Sequence, residues 1–265
     1  MLPKCSIVCS TYGRWWLLEE MVACVLWQDY AGELELVVVN DAPCTLRLSD
    51  GATLPPRRTV QFVNLDTPAP CNPWKRDLGT SVATGEWCTY YDDDDIMLPH
   101  RFTQQVETVQ RTGADWLAAH VAAVWQDRAF LELTANFFFC GHLWRRSMMP
   151  AIDPATPKWD DVSASERLQE SGARVHKIDQ RNAAPQDIVH VYRWGNGDCH
   201  HSGIPGDTSA RDKERYFQAA CRAHPRWKTG LVDIVPRMRY PYCELWRSFL
   251  AKNWAGFAAK HQGNA

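Results

Sequence analysis

From Leu34 to Val39 every residue except Glu35 is apolar. A strand that is apolar on both faces has to be covered on both, and a parallel sheet between helices meets that condition. The neighbouring segments agree. Cys5 to Thr11 reads as a strand, and Trp15 to Gln28 as a helix with Leu17, Leu18, Met21, Val22, Val25 and Leu26 at helical spacing. Thr59 to Leu65 predicts a third strand. Trp74 to Thr84 predicts a helix stopped by Gly85, and Trp87 to Tyr91 a fourth strand. Pro99 opens a helix running through Arg111, since proline is tolerated in a first turn. This alternation predicts an α/β fold with a mostly parallel central sheet flanked by helices.

In such sheets ligands bind beyond the carboxyl ends of the strands. Thr11, Asp41 and the run Asp92 to Asp95 all fall at such ends and can converge on one crevice. Four consecutive carboxylates repel one another unless a cation or a solvated loop relieves them. Hard divalent ions such as Mg²⁺ or Mn²⁺ take oxygen ligands, often one or two carboxylates plus substrate phosphates. The cluster therefore predicts a metal-assisted site for a phosphorylated substrate. An acidic helix N-terminus ahead of Pro99 is the plainer explanation, but four adjacent acids exceed what a helix end needs.

The second half is less regular. Asp115 to Trp125 predicts a strand and Asn136 to Cys140 a short aromatic strand leading to Gly141. Asp160 to Ser171 predicts a helix, and Ala173 to Ile178 and Ile188 to Trp194 predict strands. Gly195 to Gly206 reads as a loop, and the chain turns helical again from Asp207. In the last stretch Leu245, Trp246, Phe249, Leu250, Trp254 and Phe257 share one face.

The 265 residues carry a net charge of −2, which excludes a global bias toward nucleic acid. From Arg211 onward, however, 11 Lys and Arg stand against 4 Asp and Glu, while the rest carries 18 against 27. That basic end could face a membrane surface or a polyanion; a helix packed on the domain is the plainer reading. The ten cysteines are scattered singly, without zinc-ligand spacing, and are expected to be reduced thiols in a cytoplasmic protein. No signal peptide is expected, because Lys4 is followed at once by a strand. No apolar run reaches the ~18 residues of a membrane span.

Three motifs in order carry a resemblance. Ser6-Ile7-Val8-Cys9-Ser10-Thr11-Tyr12-Gly13-Arg14 resembles the opening strand of family 2 glycosyltransferases with the GT-A fold. Leu36 to Ala42 resembles their second strand with its nucleotide-binding aspartate. Ala83 through Pro99 resembles the strand that carries their DXD motif. The likeness is strong over residues 4–111, fair to 195 and absent beyond. It implies a Rossmann-like GT-A domain over 1–205, with a nucleotide-sugar-binding half (1–111) and an acceptor-side half (112–205). A helical C-terminal extension follows over 206–265.

The resemblance also implies residue roles. The chain would be an inverting, metal-dependent glycosyltransferase of hexosyltransferase type using a nucleotide-sugar, chiefly a UDP-sugar. Asp94 and Asp92 would hold Mn²⁺ or Mg²⁺, Asp93 would face the donor's ribose or sugar, and Asp95 would stand behind them. Asp41 would accept a hydrogen bond from the base, with Thr11 and Tyr12 beside base and ribose and Arg14 near the pyrophosphate. Lys75 and Arg76 fall where the family has a basic residue near the nucleotide. The usual Ala-Arg-Asn-x-Gly reads Lys75-Arg76-Asp77-Leu78-Gly79 here, so Asp77 departs from the pattern. Asp160-Asp161 resembles the family's Glu-Asp pair at a helix start, which implies Asp161 as general base and Asp160 beside it. Adjacent carboxylates raise one another's pKa toward a useful value; plain helix capping by Asp is the competing explanation. His200 and His201 could complete the donor site, Gly141 would line the acceptor side, and Trp144 and Trp194 offer sugar-stacking faces.

Two other readings compete. Nucleotidyl transfer on the same fold would call for a glycine-rich loop after the first strand, and Tyr12-Gly13-Arg14-Trp15 is too bulky for one. A non-catalytic nucleotide-sugar-binding module would not need the intact acidic cluster. The acceptor stays open among a glycan, a lipid-linked glycan, a small molecule, a protein and a modified base in DNA.

Overall fold

The computed structural model describes residues 1–136, 139–149, 160–193 and 230–262, with the side chains of 160–163 outside that set. The chain runs β1 (Cys5–Thr11), α1 (Trp15–Leu26), β2 (Leu34–Asn40), β3 (Thr45–Leu48), β4 (Arg58–Asn64), α2 (Asn72–Val82), β5 (Trp87–Tyr90) and β6 (Ile96–Met97). It continues with α3 (Arg101–Thr112), β7 (Trp116–Ala119), β8 (Val121–Gln126), β9 (Ala129–Ala135) and β10 (Leu143–Arg145). Then follow α4 (Asp160–Glu170), β11 (Val175–Ile178), β12 (His190–Arg193), β13 (Leu231–Ile234) and α5 (Tyr242–Gln262).

Seven strands form the central sheet in the order β11-β7-β10-β5-β1-β2-β4. All run parallel except β10, which is antiparallel to both of its neighbours. The expected mostly parallel sheet flanked by helices is therefore present. β1 and β2 are interior strands, each paired on both sides, and are buried along their whole length. Alternate residues feed two cores. Ile7, Leu36 and Val38 pack with Trp15, Met21 and Phe102 on one face. Val8, Val37 and Val39 pack with Tyr90, Trp144 and Leu168 on the other. Gly79 lets α2 lie directly on the sheet: a Cβ there would stand 2.3 Å from Val8 Cγ1.

The polar exception in β2 has a structural cause. Glu35 accepts hydrogen bonds from Ser6 Oγ (2.6 Å), Thr84 N (2.7 Å), Thr84 Oγ1 (2.8 Å) and Lys4 Nζ (3.1 Å). It thus closes the amino end of the sheet beneath the loop that enters β5. Burial pushes its carboxyl up, but the bonds from Ser6, Thr84 and Lys4 outweigh burial and the pKa is lowered.

The predicted strand over 115–125 is in fact two strands in different sheets. β7 stays in the central sheet, the chain crosses at His120, and β8 enters a four-stranded sheet of order β6-β12-β8-β9. The β8–β9 hairpin turns at Asp127 and Arg128, both at positive φ (50° and 67°), a two-residue geometry that usually calls on Asn or Gly. Where an aromatic strand was expected, Phe139–Gly141 is a single 3₁₀ turn; Phe137 and Phe138 lie outside the described residues. β13 pairs with β3 in a two-stranded parallel sheet, neither strand having been expected.

The C-terminal part returns to α1, and two buried glutamates receive it. Glu20 accepts from Arg193 Nη2 (2.9 Å), Arg239 N (2.9 Å) and the Tyr242 hydroxyl (3.1 Å). Glu19 pairs with Arg237 (2.8 Å) and accepts from Val235 N (3.3 Å). Trp246 and Phe257 of α5 are buried, while Leu245 is exposed. Among the described residues no helix is long and apolar enough to cross a membrane.

Two outcomes follow for stability. Glu35→Gln should lower it at neutral pH by about 1.5–3 kcal/mol, the range for hydrogen bonds to a charged group. Because the native pKa lies below the ordinary 4.5, that contribution is present above pH 4.5 and is lost as pH falls through the native value. Urea unfolding at pH 7 and at acid pH should find a gap that closes in acid. Glu20→Ala leaves the part-buried Arg193 without its carboxylate and should cost about 3 kcal/mol, the low end for a broken buried pair, in the same measurement at pH 7.

Candidate functional site

The carboxyl ends of β1, β2 and β5 meet in one polar network. After β1 the chain turns at Gly13, whose φ of +79° favours glycine, and Arg14 then leads into α1. Its backbone is held there, since its carbonyl accepts from Leu17 N and Leu18 N (both 3.0 Å). β5 ends at Tyr90, and the four aspartates form the turn between it and β6. Asp93, Asp94 and Asp95 are buried, whereas the Asp92 side chain is 39% exposed.

Basic residues of α2 and of the β1–α1 turn reach Asp92, Asp93 and Asp94. Arg76 Nη2 donates to Asp92 Oδ1 (2.6 Å). Arg14 spans two carboxylates, donating from Nη1 to Asp94 Oδ2 (2.5 Å) and from Nη2 to Asp93 Oδ1. Thr11 Oγ1 also donates to Asp93 (2.6 Å). Lys75 Nζ donates to Asp41 Oδ1 (2.7 Å) and to the Thr11 carbonyl (3.4 Å). Asp41 is fixed further by the amide of Ala69 (3.2 Å). Thr11, Arg14, Asp41, Lys75, Arg76 and Asp92 to Asp94 are thereby one contiguous set, with Tyr12 half-buried beside it.

Burial and charge pull these acids in opposite directions. Burial pushes Asp92 up, but Arg76 and then Arg14 outweigh it, and its carboxyl is lowered. At Asp93 burial, with Asp94 and Asp92 alongside, prevails over Arg14 and Thr11 and raises the carboxyl to about 6. Asp95 is raised well above the carboxylate range by burial and then by Asp94 and Asp92. It accepts from Arg193 N (2.9 Å) and lies 3.5 Å from His190 Nε2. The His190 ring also meets the Tyr91 hydroxyl (3.1 Å), and burial, then Arg101, hold its pKa down at about 3.

One group of side chains has the spacing of a metal site. Asp92, Asp95 and Cys140 each offer a ligand atom within 4.8 Å of the others. Cys140 Sγ stands 3.4 Å from Asp92 Oδ2. Carboxylate oxygens suit a hard divalent cation, and the thiol is a softer donor beside them. Asp92 is common to this group and to the expected Asp94–Asp92 pair. Neither Cys140 nor His190 carried a signal in the sequence, one being a single cysteine and the other lying within the expected strand from Ile188 to Trp194.

Trp144 is fully buried, edge-on to Tyr90 at 4.7 Å between centroids, so it is a core residue and offers no stacking face. Gly141 is buried too, and a Cβ on it would stand 2.7 Å from the Ala119 carbonyl oxygen. Asp77, the departure from the family pattern, accepts from Arg167 Nη1 (3.1 Å) and ties α2 to α4. The backbones of Asp160 and Asp161 open α4, but their side chains lie outside the described residues, as do His200, His201 and Trp194.

No protein-family model matches the chain. Among solved structures it is similar to S. aureus TarS. Against TarS 1-349 in complex with UDP-GlcNAc the TM-score is 0.54 at 14% identity, over 97% of this chain and 81% of that one. Against TarS 1-349 in complex with UDP it is 0.52 at 14% identity, over 85% and 73%. A further TarS structure gives 0.53 at 13% identity over 83% of this chain, which spans only 44% of that TarS chain. At such identities the likeness is one of fold.

The raised carboxyl is open to direct measurement. Titration of the aspartate side-chain carbons by NMR should show one carboxyl with a midpoint near 6 that disappears in Asp93→Asn. Because the native pKa lies above the ordinary 3.8, Asp93 favours the folded state at low pH, and that advantage is withdrawn as pH rises through 6.

Proposed function

We propose that the chain is a glycosyltransferase of the family 2, GT-A type that takes its sugar from a nucleotide donor, chiefly a UDP-sugar. The observation that carries this reading is the convergence of Thr11, Asp41, Lys75, Arg76 and Asp92 to Asp94 at the carboxyl ends of three parallel strands. That is where an open α/β sheet binds ligands. The fold similarity to TarS, crystallised with UDP-GlcNAc and with UDP, supports the same donor class.

Each residue then has a task. Asp41 accepts from the base, and Thr11 and Tyr12 flank base and ribose. Arg14, Lys75 and Arg76 supply positive charge for the diphosphate, with arginine suited to bidentate contact with phosphate. Asp93 faces the sugar side of the donor. Asp92 and Asp94 are the proposed ligands for Mn²⁺ or Mg²⁺, with Asp95 and Cys140 close to Asp92. Such an ion, when bound, neutralises charge on the diphosphate leaving group as a Lewis acid. Asp161 takes the proton of the acceptor hydroxyl as that oxygen attacks the anomeric carbon and the bond to the diphosphate breaks, which inverts the configuration. Asp160 is the alternative base. The acceptor is a hydroxyl compound chosen by the less family-like second half.

Thermal shift against UDP-sugars and other nucleotides, with and without Mn²⁺, tests the donor. UDP-sugars should raise the melting temperature most, and part of the rise should require metal. No shift with any nucleotide would refute the reading. Asp94→Asn should lose the metal-dependent part and stay folded. Asp161→Asn should keep donor binding while losing transfer of labelled sugar by about 10²–10⁴-fold, the usual weight of a general base; full transfer in that variant would exclude Asp161 from the role.

A further inference from the structure

Two buried carboxylates, Asp93 and Asp94, sit side by side and share one cation from within the chain. The Arg14 side chain is 9% exposed and reaches both, one guanidinium nitrogen to each. Its backbone is fixed by the turn into α1, so the guanidinium is presented to the acids by the fold. Asp92, by contrast, has its own arginine in Arg76 and is the acid most open to solvent. A cation arriving from solvent therefore meets Asp92 first and finds Asp94 Oδ2 already used by Arg14.

We propose that Arg14 is the resident counter-ion of the Asp93–Asp94 pair, and that a divalent cation reaches these carboxylates by displacing its guanidinium. The proposal rests on the metal-binding part of the function argued above. An oxygen that accepts a hydrogen bond at 2.5 Å from a guanidinium is not free to ligate a metal ion from the same side, and two cations held there would repel. Two buried acids left with neither would be strongly unfavourable. The pair is thus held by one cation or the other. A displaced Arg14 stays anchored at the head of α1, within reach of the same crevice, where phosphate oxygens suit its fork. The consequence is that Arg14 lowers the affinity of the nucleotide-free protein for divalent ions.

Mn²⁺ binding to the full chain without nucleotide, followed by the EPR signal of free Mn²⁺, tests this. Arg14→Met should bind Mn²⁺ ~10-fold more tightly than wild type, a coupling of ordinary size, and adding Asp94→Asn should abolish the gain. Arg14→Lys, whose single point charge does not fork across two carboxylates, should fall between. Should the methionine variant not fold, the lysine variant carries the test. Mn²⁺ affinity in the folded variants equal to or below wild type, absence of binding in all of them included, overturns the proposal. UDP thermal shift in the same buffer separates the two readings. A UDP shift without any effect of Arg14 on Mn²⁺ overturns the counter-ion role and leaves the donor reading standing. Tighter Mn²⁺ binding in Arg14→Met without a UDP shift supports the exchange and refutes the donor reading.

Discussion

Withdrawal of adjacent carboxylates from water is the constraint on which this structure turns. Asp93, Asp94 and Asp95 are buried at the end of β5, where like charges repel and solvent does not screen them. They are relieved in two ways. Arg14 spans Asp93 and Asp94, while Asp95 takes the backbone amide of Arg193 and a strongly raised pKa. These partners come from the β1–α1 turn and from β12, far apart in sequence. The acidic turn is therefore a joint as well as a candidate site, because the elements that hold it are also the elements it holds together.

The same device recurs away from the crevice. Glu35 closes the amino end of the sheet through Ser6, Thr84 and Lys4. Glu19 and Glu20, buried on α1, receive Arg193, Arg237 and Tyr242, and so seat the C-terminal return on the first helix. Arg193 links the two systems, its amide on Asp95 and its side chain on Glu20. The basic surplus at the C-terminus thus has at least one use inside the protein, in Arg237 against a glutamate that water does not reach.

Much of the first half was legible because local signals and the fold agree there. The apolar runs of β1 and β2 are interior strands, and the pattern of α1 holds from Trp15 to Leu26. The polar strand ends did converge, as strand direction in a parallel sheet requires. Legibility failed where the chain changes sheets. The apolar run from Trp116 to Trp125 contains no breaker, yet it is divided at His120 because two sheets compete for it. β9 was hidden because its hairpin turns at Asp127-Arg128 without a glycine or asparagine. Trp144 looked available as an aromatic face, and only its packing against Tyr90 and Phe139 removes it.

By itself the sequence determined the α/β alternation, the sheet's two-sided burial and the identity of the polar residues at its carboxyl edge, because these depend on periodicity and strand direction. The tertiary structure alone decided which charge answers which. Lys75 with Asp41, Arg76 with Asp92, Arg14 with two acids at once and Cys140 beside Asp92 are pairings across 16 to 80 residues of chain. No local pattern encodes them. They exist because folding removes these groups from water and obliges each to find a partner among those brought near.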